Sequence, residues 1–376
     1  MTRHAEIIGA GIAGLTAAAA LGKRGWSVRV HEKAEDLRLV GAGGLSMFEN
    51  ALRVLEAIGA YEDTVAGANP FIGIQTRDEK DRVTSQQRCN VGRRVYEMSR
   101  TQLMNAIYKA AARAGAEVLS GSEAVGVDPS GVVRFANGKT AKADLVVVAD
   151  GINSPNRDSL GLRVKRTPLK DGAIRIIVPR LPQDAIDLDR NMSIEWWVGI
   201  RRILAVALSE TELYLALTTL DTDTEYKALP LNKKLWKSQF PFLSSALDRV
   251  TTQGRWDRFE TIKMDRWSKG KVAIIGDAAH AMAPNLGQGG ACAMMNAIGL
   301  AHSLDQYANM SQALDAWERE QRPLIDHTQK WSTIYSSVTT WPAQARSMAF
   351  AAARQVPWIQ KIAFKAVDHN PIGCAV

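Results

Sequence analysis

Cysteine is scarce: three residues, Cys89, Cys292 and Cys374, with no C-x-x-C spacing. A scattered, odd-numbered set builds neither a disulfide framework nor a zinc site, and it fits a reducing cytosol. No metal site is therefore expected. Charge of one sign is nowhere concentrated. Lys plus Arg number 47 against 39 Asp plus Glu, a formal net charge of +8, yet no stretch carries five or six consecutive basic residues. No basic run is interleaved with regularly spaced aromatics, which argues against nucleic acid and for a small anionic substrate or cofactor in a basic pocket. Long apolar runs are missing too. No window of about 20 residues is free of charged or strongly polar side chains, so no membrane partner is expected. What remains is a 376-residue chain, 46% hydrophobic, with the make-up of a globular protein. Its length suggests roughly two domains and a core that needs no covalent staples.

The first forty residues carry the first motif. Glu6, Ile7 and Ile8 lead into Gly9-Ala10-Gly11-Ile12-Ala13-Gly14, and Leu15 to Gly22 is an alanine- and leucine-rich helix former. The order is strand, tight turn, helix. Gly9 supplies turn dihedrals, Gly11 lets a pyrophosphate approach the backbone, and Gly14 lets helix and strand pack closely. Ser27 to His31 reads as the second strand. Glu32 ends it, near the offset at which an acid accepts ribose hydroxyls. The spacing predicts a dinucleotide and leaves NAD and FAD both open.

Periodicity predicts helices from about Asn50 to Gly59 and from Arg100 to about Ala114, the latter stopped by Gly115. Short strands follow at 117–119, 124–127 and 132–135, then a fully apolar strand at 144–149 that ends in Asp150-Gly151. Between 173 and 219 the pattern changes to longer strands with few helices, 173–178, 192–197, 202–208 and 213–218, which predicts an antiparallel sheet. Lys271 to Ile275 is again a buried strand. From about Ser311 the chain is helical, with Pro323, Pro342 and Pro357 as interruptions. The expected architecture is α/β: a Rossmann-like domain of residues 1–70, 97–170 and 265–310, an inserted β-sheet domain of 71–96 and 171–264, and a C-terminal helical region, 311–376.

The second motif is Gly276-Asp277-Ala278-Ala279-His280, followed by Pro284-Asn285-Leu286-Gly287-Gln288-Gly289-Gly290 and a helix. An acid at a strand's end can hydrogen-bond a polyhydroxyl chain. The loop presents backbone N–H groups at a helix N-terminus, where the dipole favours an anionic ring edge by about 0.3–2 kcal/mol. His280 has no nucleophile pattern beside it and reads as structural.

Three motifs in order, Gly9/Gly11/Gly14 with Glu32, Asp150-Gly151 with Ser154 and Arg157, and Gly276-Asp277 through Gly289, resemble those of the class A flavoprotein aromatic hydroxylases. The resemblance implies FAD as cofactor, NAD(P)H as a transient co-substrate, and O2 delivered to a ring through a flavin C4a-hydroperoxide. It implies that Asp277 holds the ribityl hydroxyls and that Pro284, Gly287 and Gly289 to Ala291, including Gly290, form the loop at the isoalloxazine. Arg100 would contact the flavin chain or its phosphates, Ala13 the pyrophosphate, Glu32 and Lys33 the adenosine side, and Val125 the adenine. Asp150 would support FAD and the nicotinamide cofactor.

Within that family the chain is most similar to the bacterial pyridine-ring oxygenases, through 170–180, 201–204 and 212–215. This likeness implies that Arg202 and Tyr214 contact the substrate and act in catalysis, with Arg175 as a further substrate contact. Taken by itself, Arg175 alternates with Ile174 and Ile176 and reads as a solvated or ion-paired group. The implied reaction is hydroxylation of a hydroxylated aromatic or pyridine carboxylate, with a ring-opening step also allowed. Two rivals stand beside it: a flavin oxidase or dehydrogenase, which shares the N-terminal turn, and a non-catalytic flavin-binding protein. A homo-oligomer is compatible with either class.

Overall fold

A computed structural model describes residues 2–37, 43–89, 92–182, 184, 191–251, 254–342, 344–346, 348–349 and 361–374. The first strand, His4–Ile8, lies in a six-stranded sheet between two parallel partners, Leu145–Val148 and Ser27–His31. Val272–Ile274 pairs parallel beyond Leu145–Val148, so the ends of the first, Asp150-bearing and Asp277-bearing strands open on the same edge. Leu145–Val148 and Val272–Ile274 are apolar throughout because both faces are covered, and the buried Glu6 of the first strand is paired with His31 of the next at 2.6 Å. Helix Ile12–Gly22 is buried along nearly its whole circumference, which is why it is built from alanine and leucine. It packs against the helices Arg100–Arg113 and Gly289–Gln306. Ser99 caps the former by accepting from the Gln102 N–H, and the chain leaves it through Gly115 at φ +82.

A second core belongs to a seven-stranded sheet. Its order is Trp256–Met264, Val164–Pro179, Glu212–Leu220, Arg201–Ala207, Met192–Val198, Gly73–Arg77, Val83–Arg88. The four strands expected from alternation all lie in it. All its pairs are antiparallel except that of Met192–Val198 with Gly73–Arg77. The position expected to divide the domains, 170/171, falls inside the 16-residue strand Val164–Pro179. That strand's first half pairs with Trp256–Met264 and its second half mainly with Glu212–Leu220. One face, with Ile174, Ile176, Leu215 and Trp196, packs on Trp236 and Leu247 of two short helices and on Phe240 between them. The other face carries Arg175, Ile177, Arg202, Leu204, Val206, Tyr214 and Ala216, by alternation along the register. A small sheet of Gly44–Phe48, Val95–Ser99 and Asn69–Pro70 lies against this second face.

Helix Met310–Ser337 runs through Pro323 where an interruption was expected. A proline inside a helix removes one hydrogen bond, and tertiary bonds on both sides of it hold the helix on. Trp317 Nε1 donates to the Asn296 carbonyl at 2.9 Å, and Gln329 Nε2 donates to the carbonyls of Ile262 and Ala281 at 2.7 and 2.8 Å. Pro357 and the stretch from 350 to 360 lie outside the described residues. Among the described residues no helix is long and apolar enough to cross a membrane.

Candidate active site

The glycines of the first turn are fixed by what surrounds them. Gly9 has φ +100, and a Cβ there would meet the Ala149 carbonyl oxygen at 2.5 Å and the Asp150 Cα at 2.9 Å. At Gly14 a Cβ would stand 1.9 Å from the Gly9 carbonyl oxygen. Gly11 is different: a Cβ there meets nothing within 4 Å. Its outer side is open, at the start of a helix with no side-chain cap, which suits a pyrophosphate on free backbone N–H groups. Glu32 is half-buried beside it, accepting from the N–H groups of Ala10 and Ala34 at 3.1 Å each. Two bonds leave lone pairs for hydroxyls. Lys33 next to it is exposed. Val125 is skipped by the register between Gly126↔Arg134 and Ala124↔Phe135, and its side chain is 47% exposed, an apolar surface next to unpaired backbone.

The second motif touches the first. Gly276, at φ +62, would place a Cβ 2.7 Å from the Cβ of Ala13, and Gly290 would place one 3.7 Å from Ile12 Cδ1. The third motif bolts onto both. Asp150 accepts from Asn156 Nδ2 at 2.8 Å, and buried Arg157 donates to the Ile152 and Ala278 carbonyls at 3.1 and 3.2 Å. Burial pushes the Asp150 carboxyl above its ordinary value, with Ser154 and Asn156 partly offsetting it.

Asp277 has an exposed side chain and yet lies deep in the protein, which places it on the wall of a cleft. Burial raises its pKa, and Arg100 and Arg175 act in the opposite direction. Arg100 is in turn lowered by burial and supported by Asp277. These three charges, from the small sheet's helix, the large sheet and the Asp277 loop, are thus near enough to act on one another. Gly287 adopts the left-handed conformation at φ +64, Pro284 is exposed, and Gly289, Gly290 and Ala291 open a helix with no side-chain cap. Free N–H groups at that end fit an electron-rich ring edge. A glycine cradle, an acid for ribose, and a charged cleft ending at an uncapped helix together fit FAD. His280 is buried against Trp267 and Asn296, and burial pushes it down to about 4, so it is a neutral structural group.

On the large sheet, Arg175 donates to Asp257 Oδ2 at 3.0 Å and lies near the phenol of Tyr214. Burial pushes the Tyr214 hydroxyl up, against Arg175. Tyr214 is packed by Val206 and Leu208 and by the backbone of Gly44, where a Cβ would lie 2.7 Å from its ring. Arg202 is 6% exposed and fully engaged. It donates to Glu195 Oε1 at 2.8 Å and to Asn285 Oδ1 in the loop that follows Pro284, and its guanidinium lies over Trp197 and Tyr335. Burial acts against its charge, and Glu195, Tyr335 and Asp171 more than restore it. Arg202 and Tyr214 therefore share one sheet face without touching the same partner.

Comparison with known proteins decides the family: a model described as an FAD binding domain matches residues 2–332. The chain belongs to that family. It is a class A FAD-dependent hydroxylase, a flavoprotein monooxygenase that binds FAD. It is similar to a 2-heptyl-3-hydroxy-4(1H)-quinolone synthase of Mycobacteroides abscessus, 39% identical over 337 residues, 88% of each chain. It is 26% identical over 323 residues to a 6-hydroxynicotinate 3-monooxygenase of Bordetella bronchiseptica, covering 80% of this chain and 82% of that one. Its structure matches the tetrameric form of 2-methyl-3-hydroxypyridine-5-carboxylic acid oxygenase with a TM-score of 0.88 at 37% identity, covering 100% of this chain and 98% of that one.

Sequence reasoning missed several buried groups around the candidate site. Glu195 neutralises Arg202 and also accepts from Trp197 Nε1 at 2.8 Å and the Tyr335 hydroxyl at 3.2 Å. Glu97, 3% exposed, sits opposite Ser46 across the small sheet. The alternation of Glu195 with Ile194 and Trp196 on an apolar strand was an available signal for an inward-facing carboxylate. No local pattern marks Ser46 with Glu97, because only strand register joins them.

Proposed function

We propose that this monooxygenase hydroxylates an uncharged, oxygen-bearing N-heteroaromatic ring of the 2-alkyl-4(1H)-quinolone type, at the expense of NAD(P)H and O2. The observation that carries the reading is the state of the two arginines on the substrate face. Arg202 is matched by Glu195, and Arg175 is paired with Asp257, which Arg255 shares. Between them the face carries Ile177, Leu204, Val206, Tyr214 and Ala216, apolar or aromatic, with the buried hydroxyl of Thr218 beside Arg202. Moving an unpaired carboxylate onto such a surface costs several kcal/mol, about 2–7 even for a neutral polar group, whereas a neutral ring gains by its area. The name of the Mycobacteroides abscessus relative, a 3-hydroxy-4-quinolone synthase, supports the same class.

FAD, when bound, supplies the exchange of two electrons with NAD(P)H and the activation of O2. The balance is ring–H plus O2 plus NAD(P)H plus a proton, giving ring–OH, water and NAD(P)+. The chain's own residues do the rest. Gly9, Gly11, Ala13 and Gly14 would hold the pyrophosphate, Glu32 with Lys33 and Val125 the adenosine, and Arg100 and Asp277 the ribityl chain. The loop from Pro284 through Gly287 and Gly289, Gly290 and Ala291 would hold the isoalloxazine edge, and Asp150 would support the turn. Tyr214 and its apolar neighbours exclude water and set the ring's plane, and Arg202 holds the flavin loop through Asn285.

The test is substrate-stimulated NAD(P)H oxidation by FAD-loaded protein. 2-Alkyl-4(1H)-quinolones should stimulate it more than tenfold above the rate without substrate, and 3-hydroxypyridine carboxylates much less. Stronger stimulation by the carboxylates would return the substrate to the pyridine class. An oxidase would consume O2 without NAD(P)H.

A further inference from the structure

Strands Gly44–Phe48 and Val95–Ser99 place Ser46 directly opposite Glu97, with Ser46 Oγ 2.8 and 3.0 Å from the two carboxyl oxygens. This pair stands where three parts of the site meet. Two residues before Ser46, on the same face, Gly44 abuts the Tyr214 ring. On the other side lies the flavin loop: a Cβ on Gly287 would be 3.8 Å from Ser46 Cβ and 3.9 Å from its Oγ. Glu97 itself is buried and has no cationic partner among the described residues. Its hydrogen bonds there are those to Ser46. Carboxylates buried in this way are normally paired with a cation.

Burial pushes the Glu97 carboxyl up to about 8, Ser46 offsetting part of it, so that at neutral pH it carries its proton. Ser46 Oγ lies within reach of both carboxyl oxygens, and when the neutral carboxyl donates its hydrogen to Ser46 Oγ, the half-buried serine keeps its own O–H hydrogen. One hydrogen is left for an acceptor. The nearest titratable neighbours do not supply one by ionising. Burial also raises the Tyr214 phenol, and it raises the Cys89 thiol to about 11. The cations near these neighbours, Arg175 beside Tyr214 and Arg93 near Cys89, cannot accept a hydrogen bond.

We propose that the Ser46–Glu97 pair is the hydrogen-bond donor that holds the exocyclic oxygen of the substrate ring beside the flavin loop. The assignment rests on the reading of the substrate as a neutral, oxygen-bearing ring, and it makes Glu97 a specificity residue. Its neutral form donates to a ring oxygen, and its ionised form repels an electron-rich ring.

The test is ring affinity of the FAD-loaded protein, read from the flavin absorbance change between pH 6 and 10. The probes are a 2-alkyl-4(1H)-quinolone and a 3-hydroxypyridine carboxylate. In the unmodified protein, affinity for whichever ring binds should fall at least tenfold as pH rises through about 8. In Glu97→Gln, which keeps a donor but cannot ionise, affinity should be retained and lose that pH dependence. In Ser46→Ala it should fall severalfold at every pH. A ring that binds the unmodified protein and Glu97→Gln with the same pH profile overturns the role of Glu97 and leaves the substrate reading intact. A protein that binds neither ring at any pH overturns the substrate reading and the ring contact together.

Discussion

The proposed cofactor side and the proposed substrate side of this site are built by different means. On the cofactor side the constraint is backbone: Gly9, Gly14 and Gly276 are glycines because a Cβ would overlap a neighbouring atom at 2.5, 1.9 and 2.7 Å. On the substrate side the constraint is charge: Arg202 with Glu195, and Arg175 with Asp257, are matched across strands. Steric exclusion leaves a fixed spacing in the sequence. Charge matching leaves none, since the partner can come from any strand in register.

The sharpest way to break this contrast is within the glycine turn itself. Gly14→Ala should abolish soluble, FAD-binding protein, because its Cβ would sit 1.9 Å from a carbonyl oxygen. Gly11→Ala should fold with a melting temperature within about 2 °C of the parent, since nothing lies within 4 Å of its Cβ, yet bind FAD at least tenfold more weakly. Circular dichroism and flavin fluorescence distinguish the two. Equal behaviour of both variants would remove the claim that Gly11 is kept open for a ligand.

The corresponding experiment on the charged side is Glu195→Gln. It strands the buried Arg202 guanidinium and should cost about 3–5 kcal/mol in urea unfolding. Loss of less than about 1 kcal/mol would show that Arg202 is not held by its charge partner. Arg202→Ala, which also frees Asn285 in the flavin loop, should raise the apparent substrate constant. An unchanged constant with normal turnover would refute the assignment of Arg202 to the site.

The smallest effect concerns Glu97. Its folded pKa of about 8 stands above the ordinary 4.5, so the folded state holds a proton that the unfolded state releases. Stability is therefore lost as pH rises from about 4.5 to about 8. Glu97→Gln should melt higher than the parent at pH 9, by about 2–4 °C, and the gap should close near pH 4. A gap independent of pH would mean the carboxyl is ionised throughout.

What the sequence disclosed follows the same division. The dinucleotide turn, the strand ends at Asp150 and Asp277 and the antiparallel sheet were legible, because period, glycine spacing and turn chemistry are local. Arg175 was readable as a substrate contact or as an ion-paired group, and the structure shows the ion pair, with Asp257. Glu97 with Ser46, 51 residues apart, and Arg202 with Asn285, 83 apart, depend on register and on how two sheets meet. No local pattern encodes that. Pro323 misled for a related reason, since the bonds of Trp317 and Gln329 that hold the helix through it come from distant strands and loops.

The most direct measurement of the whole account is the mass of the product formed from a 2-alkyl-4(1H)-quinolone by the FAD-loaded protein with NAD(P)H under isotopically labelled O2. A single labelled oxygen on an intact ring is the expected result. An unmodified quinolone, or an oxygen drawn from water, would contradict it.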